Sequence, residues 1–160
     1  MNLSDYPRPS GDTGIGFHYY PDMNHYGQKD LDFWLPELKA MGTSWLVLLS
    51  PLDNPIPAFF LDALVQSGIE PVLRVYTPVV RPIPVESLRR LLTNYLGHGV
   101  HYVHVYNEPN LPLEWDAAEW AKPALVDRFM DLTIPCLEEI KRLGMIPLFT
   151  PLAPGGHYWD

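Results

Sequence analysis

The chain has little cysteine and little positive charge, and it lacks long apolar runs. Cys136 is the one cysteine in 160 residues. It excludes an intramolecular disulfide framework and a multi-thiolate metal site. No apolar stretch approaches about 20 residues, which excludes a transmembrane helix. The N-terminus, Met1 to Pro7, has no basic region followed by an apolar run. No signal peptide is expected from it, and a cytoplasmic location is the default. Lys and Arg number 11 against 19 Asp and Glu, a formal net charge of −8. Nucleic acid and anionic membrane both require clustered cations, so neither is expected as a partner. Aromatic and aliphatic content is too high for a disordered chain.

Proline and glycine are abundant instead, at 18 and 11. They fall at regular places. Gly14–Pro21, Gly42–Pro51, Gly68–Pro78, Gly99–Pro109 and Gly144–Pro151 each open on glycine, run through apolar residues and stop at proline. Nearly continuous apolar runs mark strands covered on both faces. Helical spacing lies between them. Leu31, Trp34, Leu35, Leu38 and Met41 form one set, and Phe60, Leu61, Leu64 and Val65 a second. Val85, Leu88, Leu91, Leu92, Tyr95 and Leu96 form a third. Leu125, Phe129, Leu132, Leu137, Ile140 and Leu143 form a fourth, which Pro135 should kink or split. Gly42, Gly68, Gly97 or Gly99, and Gly144 stand where left-handed caps are wanted.

The order is therefore β-α-β-α-β-α-β-α-β, at the spacing of βαβ units with right-handed crossovers. No glycine-rich phosphate turn follows the first strand, where His18-Tyr19-Tyr20-Pro21-Asp22 stands, and no Walker-type loop exists. The fold class expected is α/β, of (β/α)8 TIM-barrel type but incomplete, with about five βα units. Residues 1–160 form one partial barrel domain, with 1–13 as an N-terminal extension. A whole barrel takes about 250 residues, so strands 6 to 8 are missing. The edges of strands 1 and 5 then make a homo-oligomer possible.

Parallel α/β folds carry function at the C-terminal strand ends. Strand 4 ends in Asn107-Glu108-Pro109-Asn110. A carboxyl group of raised pKa at a strand mouth acts as a general acid, and an adjacent amide can bind a sugar hydroxyl. The other reading is a polar turn before a helix. Val105-Tyr106-Asn107-Glu108-Pro109-Asn110 resembles the acid/base motif of the clan A retaining glycoside hydrolases, which are (β/α)8 barrels. The resemblance implies that Glu108 is the general acid/base, that Asn107 binds the sugar 2-hydroxyl, and that the substrate is a carbohydrate. The clan's nucleophile is a Glu after the seventh strand. No residue here matches it, so none is assigned.

Retaining chemistry needs two carboxyl groups about 5–5.5 Å apart. Asp22, Asp53, Glu114 and Asp116 read more simply as loop acids or helix caps. Arg74 lies mid-strand, either orienting a carboxylate or pairing with a buried acid. His18, Tyr20, Tyr76 and Asn110 are candidate substrate contacts, with a packing role as the alternative. Trp115 and Trp159 are candidate stacking platforms for sugar rings. No metal or cofactor is expected. Cys136 reads as a buried apolar residue. Two other functions remain open: a non-catalytic carbohydrate-binding or self-associating half-barrel, and a barrel acting on phosphorylated metabolites. The last leaves Asn107-Glu108-Pro109 unexplained.

Overall fold

The computed structural model describes residues 6–155, which excludes Trp159. Five parallel strands form one sheet in the order β1-β2-β3-β4-β5. They are β1 (Gly16–His18), β2 (Trp45–Pro51), β3 (Glu70–Tyr76), β4 (Tyr102–Val105) and β5 (Ile146–Pro147). Helices α1 (Gln28–Ala40), α2 (Ala58–Gln66) and α3 (Val85–Leu96) connect the first four strands. A 3-10 turn (Pro112–Glu114), α4 (Ala117–Trp120) and α5 (Leu125–Arg142) lead to β5. Each strand pairs with its sequence neighbour, so the strand order never reverses. A doubly wound sheet has such a reversal, and its ligand crevice lies there.

One face of the sheet carries the core. Leu46, Leu48 and Ser50 of β2, Leu73 and Val75 of β3, and Val103 and Val105 of β4 are all at 0% exposure. Alternate residues on a strand share a face, and these meet Phe60, Leu61, Leu64, Leu88, Leu92 and Ile140 of the helices. The opposite face holds the complementary set: Val47, Leu49, Val72, Arg74, Tyr102 and His104. Arg74 stands in register with both Leu49 and His104. The sheet edges are β1, exposed along its length, and the two-residue β5.

The glycines before β2, β3, β4 and β5 have φ of 71°, 76°, 73° and 81°. At the two-way choice, Gly99 is the left-handed residue, while Gly97 is helical at φ −66°. Gly99 is doubly required, because a Cβ there would lie 3.2 Å from Val65 Cγ1. Of the two expected effects, kinking or splitting, Pro135 does not split α5, which runs from Leu125 to Arg142. A proline frees the carbonyl four residues back. Both Pro135 and Asp131 are exposed, so water can take that carbonyl. Pro36 sits inside α1 in the same way, with Asp32 exposed.

A buried polar knot ties α3 to the sheet. The Tyr95 hydroxyl lies 2.6 Å from Ser50 Oγ and accepts the Ile56 amide at 2.8 Å. Replacing Tyr95 by Phe leaves the buried Ile56 amide without a bond and Ser50 Oγ with only a long 3.4 Å contact to the Pro51 carbonyl. Unsatisfied buried groups cost about 1–3 kcal/mol each. We expect Tyr95→Phe to lower the unfolding free energy by about 2 kcal/mol in urea titration; a change below about 0.5 kcal/mol would mean that water replaces the hydroxyl.

Between α3 and α5, Glu139 of α5 is clamped by Arg89 of α3 and by Arg142. The side chain is 5% exposed. Hydrogen bonds from Arg142 and then Arg89 hold its carboxyl down at about 2. This clamp supports the packing of α3 against α5 above about pH 4.5 and weakens as pH falls towards 2.

Candidate functional site at the end of the fourth strand

The backbone after β4 is reshaped by one residue. Tyr106 has φ 65°, a left-handed conformation that is a true outlier for a bulky L-residue. It breaks the alternation of the strand. Val105 is in the core, and Tyr106 also turns to the helix layer, packing edge-on against Phe129 of α5 at 5.8 Å. Its hydroxyl donates to the Arg81 carbonyl at 2.8 Å. The next residue, Asn107, is thereby delivered to the opposite face.

There Asn107 is held from both sides. Arg74 Nη1 donates to its Oδ1 at 3.1 Å, and its Nδ2 donates to Glu114 Oε1 at 2.7 Å. Arg74 therefore has an amide as its partner, not the buried acid or catalytic carboxylate considered from the sequence. Glu114 is not the free loop acid that the sequence implied. It folds back onto Asn107 because the 3-10 turn returns the chain towards β4. Its backbone also accepts the Val80 amide at 2.7 Å, which joins the loops after β3 and β4.

Glu108 follows, half-buried, at the C-terminal end of β4. Its carboxyl makes no hydrogen bond or ion pair among the described residues. Its backbone carbonyl accepts the Leu111 amide at 3.0 Å, which closes a tight turn. A partly exposed, uncommitted carboxyl thus stands beside an amide fixed by a guanidinium and a carboxylate.

The other sequence candidates scatter. Asn110 is spent on structure: its amide donates to the Ala153 carbonyl and its Oδ1 accepts the Ala153 amide, at 2.8 and 2.9 Å. This pins the β4 loop to the segment after β5. Trp115 is corrected as a stacking platform. It is 5% exposed, donates to the Pro109 carbonyl at 2.8 Å, and lies under the Arg128 guanidinium. Its indole holds the Asn107–Asn110 turn against α5, with Arg128 over one face and Phe129 beside the ring. Tyr76 is 39% exposed at the end of β3, next to the Arg74 strand position. His18 lies on the exposed edge strand β1. Tyr20 stacks on His25 at 3.7 Å in an aromatic cluster with Tyr19 and Trp34, three strands from Glu108. Asp22 caps Asn24 and pairs with His25. Cys136 is buried, and burial pushes its thiol up to about 11, so it is no nucleophile at neutral pH.

Three residues before Asn107, in register with Arg74, stands His104, which the sequence does not assign to the site. It is 5% exposed and its Nδ1 has no hydrogen-bond partner. Burial, then the Arg74 charge, then His18 hold it down at about 4. It is therefore neutral, beside a fixed cation. The sequence signal was its position opposite Arg74, which only strand register reveals. No protein-family model matches the chain, and no curated protein matches it.

Proposed function

We propose that this chain is a glycoside hydrolase-type barrel, or a part of one, with Glu108 as general acid/base on O-glycosidic bonds. The single observation that carries this reading is the uncommitted carboxyl of Glu108 beside a fully braced Asn107, at the C-terminal end of a parallel strand. Parallel α/β barrels place catalytic groups at such ends. The sequential strand order supports a barrel over a doubly wound sheet, and closure of such a barrel needs three further strands at the edges of β1 and β5. A second copy pairing at those edges is the oligomeric version of the same closure.

In this reading a nucleophilic carboxylate from outside this chain bonds to the anomeric carbon while Glu108 gives its proton to the leaving glycosidic oxygen; Glu108 then takes a proton from the water that displaces that carboxylate. Asn107 presents its amide to the neighbouring sugar hydroxyl, and Arg74 and Glu114 fix that amide's orientation. No residue of this chain is assigned the nucleophile. The test is hydrolysis of a panel of aryl β-glycosides by the protein and its Glu108→Gln variant. General acid/base groups contribute about 10²–10⁴-fold, so at least about a hundredfold loss is expected. Unchanged turnover in the variant would sink the assignment. Retained sugar binding without turnover in either protein would favour the non-catalytic binding module.

A further inference from the structure

An open cleft of about 780 Å³ lies at the C-terminal ends of β2 and β3, lined by Asp53, Tyr76, Arg81, Ser87 and Arg90 among others. The chain has seven arginines. Arg8, Arg89, Arg128 and Arg142 are ion-paired, and Arg74 is bound to Asn107. Arg81 and Arg90 are the two that remain, and both border this cleft. Arg90 has only a long contact to Ser87, at 3.4 Å. In a chain of net charge −8, acids are plentiful, yet these two guanidinium groups have no carboxylate among the described residues. Arg81 also borders a second cleft with Asp116, Glu119 and Asp131, and pairs with none of them.

No residue of the Asn107–Glu108 turn lines the cleft, and the two are linked through the loop after β3. The loop carrying Arg81 is fastened to the β4 side by the Val80–Glu114 and Tyr106–Arg81 hydrogen bonds. Val80 and Ile83 anchor it in the core. Tyr76, two residues after Arg74 on β3, lines the same cleft with a partly exposed ring. An aromatic face suits the apolar face of a sugar. Guanidinium forks suit planar or tetrahedral oxyanions, which they hold by paired hydrogen bonds.

We propose that this cleft binds a sugar unit bearing an oxyanion, a uronate carboxylate or a sulfate ester, so that the substrate class is an acidic glycan. This rests on the carbohydrate reading above. Calorimetric titration of the full chain with tetragalacturonate, its methyl ester and a sulfated galactose tetramer tests it at low salt. One charged tetramer should bind about fivefold or more tighter than the ester. Which one does so separates carboxylate from sulfate. Arg81→Gln and Arg90→Gln should each weaken it about threefold to fivefold and leave the ester unmoved, while Asp53→Asn should tighten it. Equal binding of charged and neutral tetramers overturns the proposal and leaves the carbohydrate reading standing. So does charged-tetramer binding that is insensitive to both arginine variants. Inorganic sulfate bound as tightly as a tetramer overturns it too. If no tetramer binds and Glu108→Gln changes no hydrolysis, both readings fall.

Discussion

Lowering the pH from 7 to 4 removes about 3 kcal/mol of stability through His104 alone. The residue sits on β4 at 5% exposure with an unpartnered Nδ1. Burial, Arg74 and His18 hold its folded pKa at about 4, against about 6.5 when unfolded. Both states are neutral above about pH 6.5, so nothing is lost there. Between that pH and about 4 the unfolded chain takes up a proton that the folded chain refuses, and stability falls. The gap of roughly 2.5 units, at about 1.4 kcal/mol per unit, sets the size. Glu139 acts in the same direction but only below about pH 4.5. Glu70, whose carboxyl is raised chiefly by burial, acts in the opposite direction.

Comparison with His104→Gln isolates the effect. Urea unfolding at pH 7, 5.5 and 4 should show the stability difference moving by about 3 kcal/mol in the variant's favour on acidification. A difference that stays constant with pH would show that His104 protonates freely in the folded protein.

The Tyr106→Ala variant should lose about 3–5 kcal/mol, the usual cost of deleting a buried aromatic side chain. Tyr106 is 2% exposed, and its ring meets Phe129 while its hydroxyl holds the Arg81 carbonyl. Alanine relieves little of the backbone strain, because any Cβ at φ 65° keeps it. Such strain costs about 1–3 kcal/mol and persists only where packing over-determines it. The ring is that packing. Without it, residues 106–108 are free to return to an extended path, which takes Asn107 away from Arg74. Urea titration gives the stability change, and the Arg74 side-chain NMR signals report the lost bond to Asn107. A loss under about 1 kcal/mol with those signals unmoved would show that the turn is held by Trp115 and Asn110 instead.

The helices were legible because their burial follows the 3.6-residue period. Leu88, Leu91, Leu92 and Tyr95 are buried as spaced, and α5 runs from Leu125 as its apolar set begins. Strand positions were legible from glycine and proline, since left-handed caps and strand stops are local demands. That Pro135 does not split α5 was not legible, because the effect of a proline depends on whether the carbonyl it frees can reach water. Trp115 was misread because a ring's exposure is set by what packs on it, here Phe129 and Arg128.

The sequence by itself determined the β-α alternation, the cap positions and the placement of Asn107-Glu108 at the end of a strand. Each depends on near neighbours along the chain. Tertiary structure alone decided that Arg74 and Glu114 brace Asn107, that His104 lies neutral beside Arg74, and that Arg81 and Arg90 share one cleft. Those contacts join residues 7 to 33 positions apart in the Asn107 brace and on neighbouring strands for His104. Strand register and one left-handed residue bring them together, and neither leaves a periodic trace in the sequence.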